Sequence, residues 1–324
     1  MKIAIITYSK SSRSTARIIA EGQKRGHEMM VLNPDKLVIF ISTDRTSKDF
    51  LYKKVNGYLE RVETESIDAI IPRVATNLKY ASAIINHLNK NLGIFSLQKA
   101  QGIKIASNKL LTIQQCSLEK IPIPKTIYAR DVSMIDFYLQ MVGGTPVIVK
   151  TTSGSHGDGV LLLDSDRSAK STIQALIKLK TNFIIQEFIN SNGVDFRGIV
   201  VGNKVVASYK RQAVKGEFRA NLHKGASAEA ILLSKEDQAF CVKCAKALNL
   251  HTAGIDFIKD SNGNSLLIEV NSNFGFKIEK ITGNNIAKEM ILFLEEKIIK
   301  KRNKKAYYSF VNSVEFDHFE NEME

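Results

Sequence analysis

The sequence predicts an α/β protein in two parts: an N-terminal open α/β layer and a larger α+β part that mixes helices with antiparallel hairpins. The opening segments KIAIITY, STARIIAEGQKRGHE and MMVLN have the apolar periods of a strand, a helix ending at Gly26, and a second strand. After Gln98, helical patterns are mixed with hairpin signals such as FRGIVVGNKVVASYKR, which turns at Gly202 and Asn203. This mixture favours an α+β architecture over a continuous parallel sheet.

The N-terminal layer continues with a predicted strand at Ile67–Val74 and an amphipathic helix at Tyr80–Leu92, which Gly93 ends before the short strand IFSL. For residues 36–66 we expect an inserted strand pair. The loop TYSKSSRST after the first strand contains no glycine, so this layer carries no dinucleotide-binding fingerprint.

The second part begins with the helical segment SNKLLTIQQC, for which Ser107 is the N-cap candidate. The elements predicted after it are an edge strand at IPIPKTIYA, a helix at Ser133–Val142, the strands PVIVK and VLLL, a helix at Ser168–Lys180, the strand FIIQEF, the Gly202 hairpin and a helix capped by Ser234. The acidic stretch VEFDHFENEME lacks periodicity, and we expect it to be mobile.

Composition and charge limit the function classes. The chain has 324 residues, 44% hydrophobic and 24% charged, which is typical of a globular protein with two or three domains. It contains no stretch of roughly 20 apolar residues and no secretion signal, so we expect a cytoplasmic protein without a membrane partner. Three cysteines fit a reducing compartment, and the Cys241-x-x-Cys244 pair is interpreted as helix core.

The net charge of +13 favours an acidic substrate or partner. Nucleic acid is disfavoured as a partner, because the sequence has no aromatic-interleaved basic motif of an RNA-binding module.

A glycine-rich loop, TTSGSHGDGV, follows the strand PVIVK that ends at Lys150. Glycines at 154, 157 and 159 would let backbone N–H groups approach phosphate oxygens without side chains in the way. The spacing matches neither a dinucleotide fingerprint nor a P-loop. Lys150 would add a point charge on the same phosphates, and we interpret the loop as a lid over them.

The segment AGIDFIKDSNGNSLLIEVNSN indicates a hairpin that turns at Asn262 and Gly263. With these two residues as the loop, Asp256 lies directly opposite Glu269, with β-carbons about 4.5–5.5 Å apart. Two like charges in these positions destabilise the strand pair. Asn271 shares the face of Glu269, whereas Ile268 and Val270 point to the other face. Two carboxylates and an amide oxygen suit Mg²⁺ that also binds substrate phosphates. The alternative is an ordinary hairpin whose acids both face solvent.

Several motifs occur in a fixed order: PVIVK, SGSHGDGV, IIQEF, DFRGIVVGNKVVASYKR, GEFRANLHKGA, AGIDFI and LIEVNSN. In this order they resemble the ATP-grasp ligases, and most of all the RimK-like glutamate ligases that extend the C-terminus of a ribosomal protein. The resemblance runs from Met1 to about Lys300 and includes IPRVAT and IPIPKT. It implies an ATP-grasp fold preceded by an open α/β pre-ATP-grasp domain.

The resemblance also implies domain bounds and residue roles. We expect the N-terminal α/β domain at residues 1–100, a central lid subdomain at 101–182, a C-terminal ATP-grasp subdomain at 183–302 and a mobile tail at 303–324. The implied roles are ATP phosphate contacts for Lys109, Lys150 and the loop glycines Gly154, Gly157 and Gly159; the adenine slot for Gln186, Glu187 and Phe188; ribose for Asp195; the γ-phosphate and the reacting carboxylate for Arg211, Arg219 and Asn221; and metal for Asp256, Glu269 and Asn271.

The implied activity is that of an ATP-dependent carboxylate–amine ligase with Mg²⁺ or Mn²⁺, two ions being expected. It would add an amino acid, glutamate by resemblance, to an acidic peptide or protein acceptor through an acyl phosphate, and we expect a homo-oligomer. The alternatives are the same chemistry on a small-molecule or amino-carrier substrate, or a non-catalytic descendant that binds ribosome or RNA.

Some residues have plainer interpretations or depart from the family pattern. Taken alone, Lys109 fits a solvated helix lysine and Arg211 an exposed basic residue at a strand end. The run SNFGFKIEK is one residue shorter than the usual family segment and lacks its proline, His156 replaces a common Gln, and Asn108 replaces a common Asp. These departures bear on amino-acid and acceptor specificity, and not on ATP or metal binding.

Overall fold

The computed structural model describes residues 1–43, 50–154, 159–220 and 225–320, with side chains as far as Asn303. These residues form two compact units. The first comprises Met1–Pro72, His87–Leu97 and Ala287–Glu324, and the second comprises Arg73–Asn86 and Gln98–Ile286. Among the described residues, no helix combines the length and the apolar character that a membrane crossing requires.

The first unit is an α/β layer. Its strands are β1 (Lys2–Ile6), β2 (Glu28–Leu32), β3 (Leu37–Phe40), β4 (Phe50–Val55), β5 (Tyr58–Arg61), β6 (Ala69–Pro72) and β7 (Phe95–Ser96). Four of them form a parallel sheet in the order β2-β1-β6-β7, as the opening strand–helix–strand pattern predicts. Its helices are α1 (Arg13–Lys24), capped by the side chain of Ser12, and α9 (Ile286–Glu320).

The inserted segment differs from the predicted strand pair. Strands β3, β4 and β5 form a separate antiparallel sheet of three strands within residues 37–61. The positive-φ pair Asn56 and Gly57 turns β4 into β5, a connection that the sequence analysis missed although Asn-Gly is a strong hairpin signal.

The second unit contains the remaining elements. Its helices are α2 (Leu78–Asn86), α3 (Ala100–Ala106), α4 (Lys109–Leu118), α5 (Ile135–Met141), α6 (Asp166–Lys178), α7 (Lys235–Ala247) and α8 (Ile278–Thr282). Its strands are β8 (Thr126–Ile127), β9 (Val147–Thr151), β10 (Val160–Leu163), β11 (Phe183–Glu187), β12 (Val194–Val201), β13 (Lys204–Gln212), β14 (Ser227–Ala230), β15 (Thr252–Lys259) and β16 (Ser265–Asn271).

Two antiparallel sheets organise this unit. The smaller has the order β10-β9-β11-β8, with α5 and α6 packed on a core around Leu139, Val149 and Ile173. The larger has the order β14-β13-β12-β15-β16, and Phe257, Cys241 and Cys244 are completely buried within this unit. Hairpins and helices on two sheets confirm the α+β prediction.

Two predicted helix boundaries are wrong. Ser107 ends α3 instead of capping the next helix, and the N-cap of α4 is Asn108, whose Oδ1 accepts a hydrogen bond from the Leu111 backbone N–H. The helix expected at Tyr80–Leu92 ends at Asn86 and is followed by a π-helical turn at His87–Asn91. Ser234 does cap α7, accepting from the Asp237 N–H as predicted.

The C-terminal stretch is helical in its backbone as far as Glu320, as part of α9. Near the start of this helix Glu295 accepts hydrogen bonds from Arg25 and lies 2.8 Å from Nε2 of His27, which attaches the helix to the α/β layer of the first unit. The mobility expected for residues 303–324 stays a prediction.

Candidate active site

A cavity of about 480 Å³ lies in the second unit and collects most of the residues that the sequence singles out. The predicted residues in its wall are Lys109, Lys150, Gln186, Glu187, Phe188, Asp195, Arg211, Arg219, Asp256, Glu269 and Asn271. Gly154 and Gly159 lie at the two sides of the loop but do not line the cavity. Gly157 and Asn221 lie outside the described residues, as do His156 and most of the loop itself.

Lys150 is a buried cation at the end of β9. Its Nζ donates to Oε1 of Gln186 at 2.7 Å, and Nε2 of Gln186 donates in turn to Thr126 at 2.9 Å. Burial, reinforced by the nearby charge of Lys109 and opposed by Glu269, lowers the pKa of Lys150 to about 8. A desolvated ammonium with one neutral partner retains two donors for an anion.

Lys109 is held at the first turn of α4. Its backbone N–H donates to the Thr152 carbonyl at 2.8 Å, and its Nζ donates to the Gly154 carbonyl at 3.2 Å. The same Nζ lies 3.7 Å from Oε1 of Glu269, and the side chain is only 14% exposed. These contacts contradict a solvated helix lysine, since Lys109 connects the glycine-rich segment to β16.

The backbone conformation and the close packing at position 159 require a glycine. It has φ of +73°, and a Cβ built there would lie 2.5 Å from Oγ1 of Thr151. Its carbonyl accepts from the Thr151 N–H, which closes the base of the loop. Gly154 also has positive φ, at +132°. The backbone at both sides of the loop therefore has conformations that other residues rarely adopt.

The hairpin places Asp256 directly opposite Glu269, as predicted, although its turn is different. The turn covers Asp260–Asn264 instead of the two residues Asn262 and Gly263, and the ladder begins at Lys259 and Ser265. A bulge then shifts the register between Phe257 and Asp256 and restores the predicted pairing.

The extra residue of this bulge is Ile268, and its predicted orientation is wrong. Phe257 pairs with Leu267, Asp256 pairs with Glu269, and Ile268 between them has no ladder partner. Because a bulge puts two consecutive residues against one, Ile268 lines the cavity together with Glu269 instead of pointing to the other face.

Asp256 is surrounded by cations. Arg197 binds both of its carboxylate oxygens through Nε and Nη2, Arg211 Nη2 lies 3.3 Å from Oδ2, and Asn271 Nδ2 donates to Oδ2 at 3.4 Å. The carboxylate is 6% exposed. Burial acts to raise the pKa of Asp256, but the charges of Arg197 and Arg211 outweigh it and hold that pKa below its usual range.

Asp195 completes a group of two acids and two arginines. Arg211 donates to it through Nε at 2.5 Å and Nη2 at 2.7 Å. Burial, opposed by Arg211, raises the pKa of Asp195 to about 6. Its implied ribose contact stays a prediction, and its observed partner is Arg211.

Arg197 is the residue that the sequence analysis missed. It lies two positions after Asp195 on β12, so both side chains face the same way, and it is paired with Asp256 on β15. The D-x-R pattern carried this signal. Using it required the β12–β15 pairing, which joins strands far apart in the sequence.

Arg219 lies in the segment between β13 and β14. Glu217 accepts from Arg219 Nε at 2.9 Å and Nη2 at 2.7 Å, while Nη1 donates to the Val160 carbonyl at 3.3 Å. Hydrogen bonding from Arg219 lowers the pKa of Glu217 to about 2. Arg219 thus connects this segment to β10 of the smaller sheet.

The donor set at the hairpin fits a hard cation that takes further ligands from its substrate. The described residues contain no group of three or more His, Cys, Asp or Glu side chains able to hold a metal ion. Two facing carboxylates beside an amide are short of a full Mg²⁺ shell, which in proteins commonly has one or two carboxylates plus phosphate oxygens and water. A carboxylate offers about four acceptor positions, and on Asp256 the arginines take three of them and Asn271 Nδ2 the fourth. A metal ion bound here would therefore replace the Asn271 Nδ2 contact.

Comparison with known proteins defines the class first. The fold is that of the ATP-grasp ligases: the ligase PsnB, in complex with a phosphomimetic variant of its minimal precursor, Mg and ADP, superimposes with a TM-score of 0.70 at 17% identity over 91% of this chain and 98% of its own. A RimK domain ATP-grasp protein from Sphaerobacter thermophilus gives a TM-score of 0.64 at 17% identity over 91% and 99%.

The particular family follows from sequence. Residues 1–103 match the RimK PreATP-grasp domain and residues 81–294 match the RimK-like ATP-grasp domain. A "Probable alpha-L-glutamate ligase" of Halorhodospira halophila is 36% identical over 91% of this chain and 95% of its own length, and one of Vibrio atlanticus is 35% identical over 91% and 96%. The chain belongs to the RimK-like ATP-grasp ligases, which confirms the resemblance drawn from its motifs.

Proposed function

We propose that this ligase uses ATP and a divalent cation to join the amine of an amino acid to a carboxylate of a peptide or protein acceptor. The amino acid that we propose is glutamate. The observation that carries the proposal is that one cavity combines two lysines suited to bind phosphate with a pair of carboxylates that face each other. Similarity to probable glutamate ligases supports the amino acid, and similarity in fold to PsnB, whose complexes contain a precursor peptide, supports the acceptor class.

The residues assigned to ATP fit its chemistry. Lys109 and Lys150 present ammonium groups for the phosphates, and the phosphate contact of the glycine-rich loop stays a prediction. Gln186 is 2% exposed and occupied by Lys150 and Thr126, so it positions Lys150 more than it contacts the base. Glu187 accepts from the Lys125 backbone N–H at 2.8 Å and keeps further acceptor positions for the base edge, and Phe188 lies beside it in the cavity wall.

Asp256, Glu269 and Asn271 would hold Mg²⁺ or Mn²⁺. Such an ion, when bound, neutralises phosphate charge and screens the two acids from each other. The protein's part is to hold the ligands in place: Arg197 fixes the Asp256 carboxylate, and Lys109 lies beside Glu269.

The reaction proceeds in two steps. In the first, an oxygen of the acceptor carboxylate attacks the γ-phosphorus, the bond to the bridging oxygen breaks, and ADP leaves with an acyl phosphate formed. In the second, the amine nitrogen attacks the acyl carbon, the carbon–oxygen bond to phosphate breaks, and the nitrogen loses a proton. Arg211 and Arg219 would stabilise charge on the transferring phosphoryl group and on the tetrahedral oxygen, since a guanidinium matches both.

Mass spectrometry tests the proposal. The protein is incubated with ATP, Mg²⁺, a mixture of amino acids and peptides that end in glutamate. We expect products heavier by whole glutamyl residues, together with ADP formation that requires both substrates. Unmodified peptides accompanied by amide formation on a small carboxylate would instead favour a small-molecule ligase, and no ATP consumption with any carboxylate and amine would contradict the ligase assignment.

A further inference from the structure

The cations of the cavity differ in whether they already have partners. The six cationic side chains in the wall are Lys109, Lys150, Arg197, Arg211, Arg219 and Lys277. Five of them contact a carboxylate or an amide oxygen, as described above. Among the residues that the structure describes, the ammonium of Lys277 has no hydrogen-bond or ion-pair partner, so it is available to a ligand.

Packing of the surrounding segment orients Lys277. Phe274, Phe276 and Ile278 are buried at 3%, 3% and 2% exposure, while Gly275 and Lys277 between them are exposed and line the cavity. Phe274 and Ile278 also lie in the cavity wall, so the segment forms part of this wall with its apolar side chains buried and the Lys277 side chain exposed. Lys277 therefore projects from a segment held by three apolar anchors.

Arg73 packs against Phe274 and Phe276 of this segment. It is 9% exposed, its Nη2 donates to the Phe274 carbonyl at 2.8 Å, and its guanidinium carbon lies 5.8 Å from the ring centre of Phe274 and 5.3 Å from that of Phe276. The two cation–π contacts and the hydrogen bond to the Phe274 carbonyl together hold the backbone next to Lys277 in place. The segment is therefore a fixed part of the cavity wall.

We propose that Lys277 binds a substrate carboxylate that does not react, and so sets the preference of this ligase for an acidic substrate. The inference rests on the proposed function. Lys109, Lys150, Arg211 and Arg219 are assigned above to the phosphates and the reacting groups, and Arg197 is bound to Asp256. Lys277 is therefore the cation of this wall that is left for a further carboxylate of the amine or of the acceptor. Lys277 also lies in the SNFGFKIEK run, where this chain departs from the usual family segment.

The test compares Lys277→Met and Lys277→Arg with the wild-type enzyme. Methionine retains the apolar stem and removes the charge, so we expect KM for the substrate that carries the carboxylate to rise about tenfold with little change in kcat or in KM for ATP, the size of one charge-assisted hydrogen bond. Arginine should restore most of the affinity. The matched control is Lys280→Met, an exposed lysine on α8 that does not line the cavity.

Two series identify the source of the carboxylate. In one, glutamate and glutamine are varied at saturating acceptor; in the other, acceptor peptides ending in glutamate and glutamine are varied at saturating amino acid. The preference for the acidic member should shrink in Lys277→Met in one of the two series. Equal KM values and equal preferences in variant and wild type, in both series, would overturn the inference.

Failure of the proposed function has a different signature. It would show as a wild-type enzyme that forms no amide with either substrate. Equilibrium binding of glutamate and of the acceptor peptide, measured with ADP and Mg²⁺ present, does not depend on turnover. Weaker binding of one of them to Lys277→Met supports the inference in that case too, and unchanged binding of both, or no binding to the wild type, contradicts it.

Discussion

Asp256→Asn and Glu269→Gln should have the same effect on turnover and different effects on stability. Both remove one of the two facing carboxylates proposed to hold the metal, so ADP formation should be almost abolished in each. Asp256, however, also balances the charges of Arg197 and Arg211 in a site where it is 6% exposed. Glu269 is 30% exposed, and its nearest cation is Lys109 at 3.7 Å.

The magnitudes follow from this difference. Asp195, Arg197, Arg211 and Asp256 together are neutral, and Asp256→Asn leaves one uncompensated positive charge. Removing one partner of a buried ion pair costs about 3–5 kcal/mol of unfolding free energy. Lys109 and Glu269 are partly exposed and 3.7 Å apart, and such a pair contributes about 1 kcal/mol or less. For a unit of this size the first change corresponds to a fall in Tm of roughly 10 °C and the second to a few degrees at most.

Thermal unfolding of the nucleotide-free protein measures these differences, with ADP formation measured on the same samples. Adding Arg197→Met to Asp256→Asn removes a stranded charge, so the double variant should be more stable than Asp256→Asn alone. If Asp256→Asn unfolds at the same temperature as Glu269→Gln, Asp256 does not balance the arginines. If either single variant retains normal turnover, the metal assignment fails.

Further predictions concern the lysine, the loop and the cysteines. Because burial and Lys109 lower the pKa of Lys150 to about 8, ADP affinity should fall by up to about tenfold per pH unit above that value as the amine loses its charge. Lys150→Arg, titrated with ADP on both sides of that pH, should flatten the dependence; an unchanged slope would contradict the role. Gly159→Ala should weaken ADP binding, because its positive φ and its 2.5 Å approach to Thr151 leave no room for a methyl group; calorimetric titration showing normal affinity would refute this. Burial raises the pKa of Cys241 to about 12 and that of Cys244 well above its usual value, so Cys241→Ala/Cys244→Ala should keep wild-type kcat, and loss of turnover in a folded double variant would indicate that the thiols take part.

The sequence was sufficient where the signals are local. Apolar periods and the Gly202 turn predict β12 and β13 closely, and the Ser234 cap marks the start of α7. The pairing of Asp256 with Glu269 was also predicted, but for an incomplete reason. The longer turn and the bulge at Ile268 each shift the register by one residue, in opposite directions, and neither has a sequence signature as strong as Asn-Gly.

Features that depend on distant parts of the chain could not be predicted. Arg197 was missed because its partner Asp256 is 59 positions away, and propensity says nothing about which strands become neighbours. The place of Gln186 in the adenine slot stays a prediction, but its contacts with Lys150 and Thr126 could not be foreseen, because they are set by the order of β8, β9 and β11. The sequence does not distinguish Lys277 from other lysines, because its role depends on the partners and assignments of the other cations in the cavity wall.

Binding of Mn²⁺ in the presence of ADP, followed by the electron paramagnetic resonance signal of the free ion, tests the metal site most directly. The wild-type protein should bind the ion tightly only when the nucleotide is present, because the two carboxylates supply part of the coordination shell. Asp256→Asn and Glu269→Gln should each lose this nucleotide-dependent binding, whereas Glu229→Gln, an exposed acid on β14 that pairs with Lys210, should keep it. Equal binding by all four proteins would show that the facing carboxylates do not hold the metal.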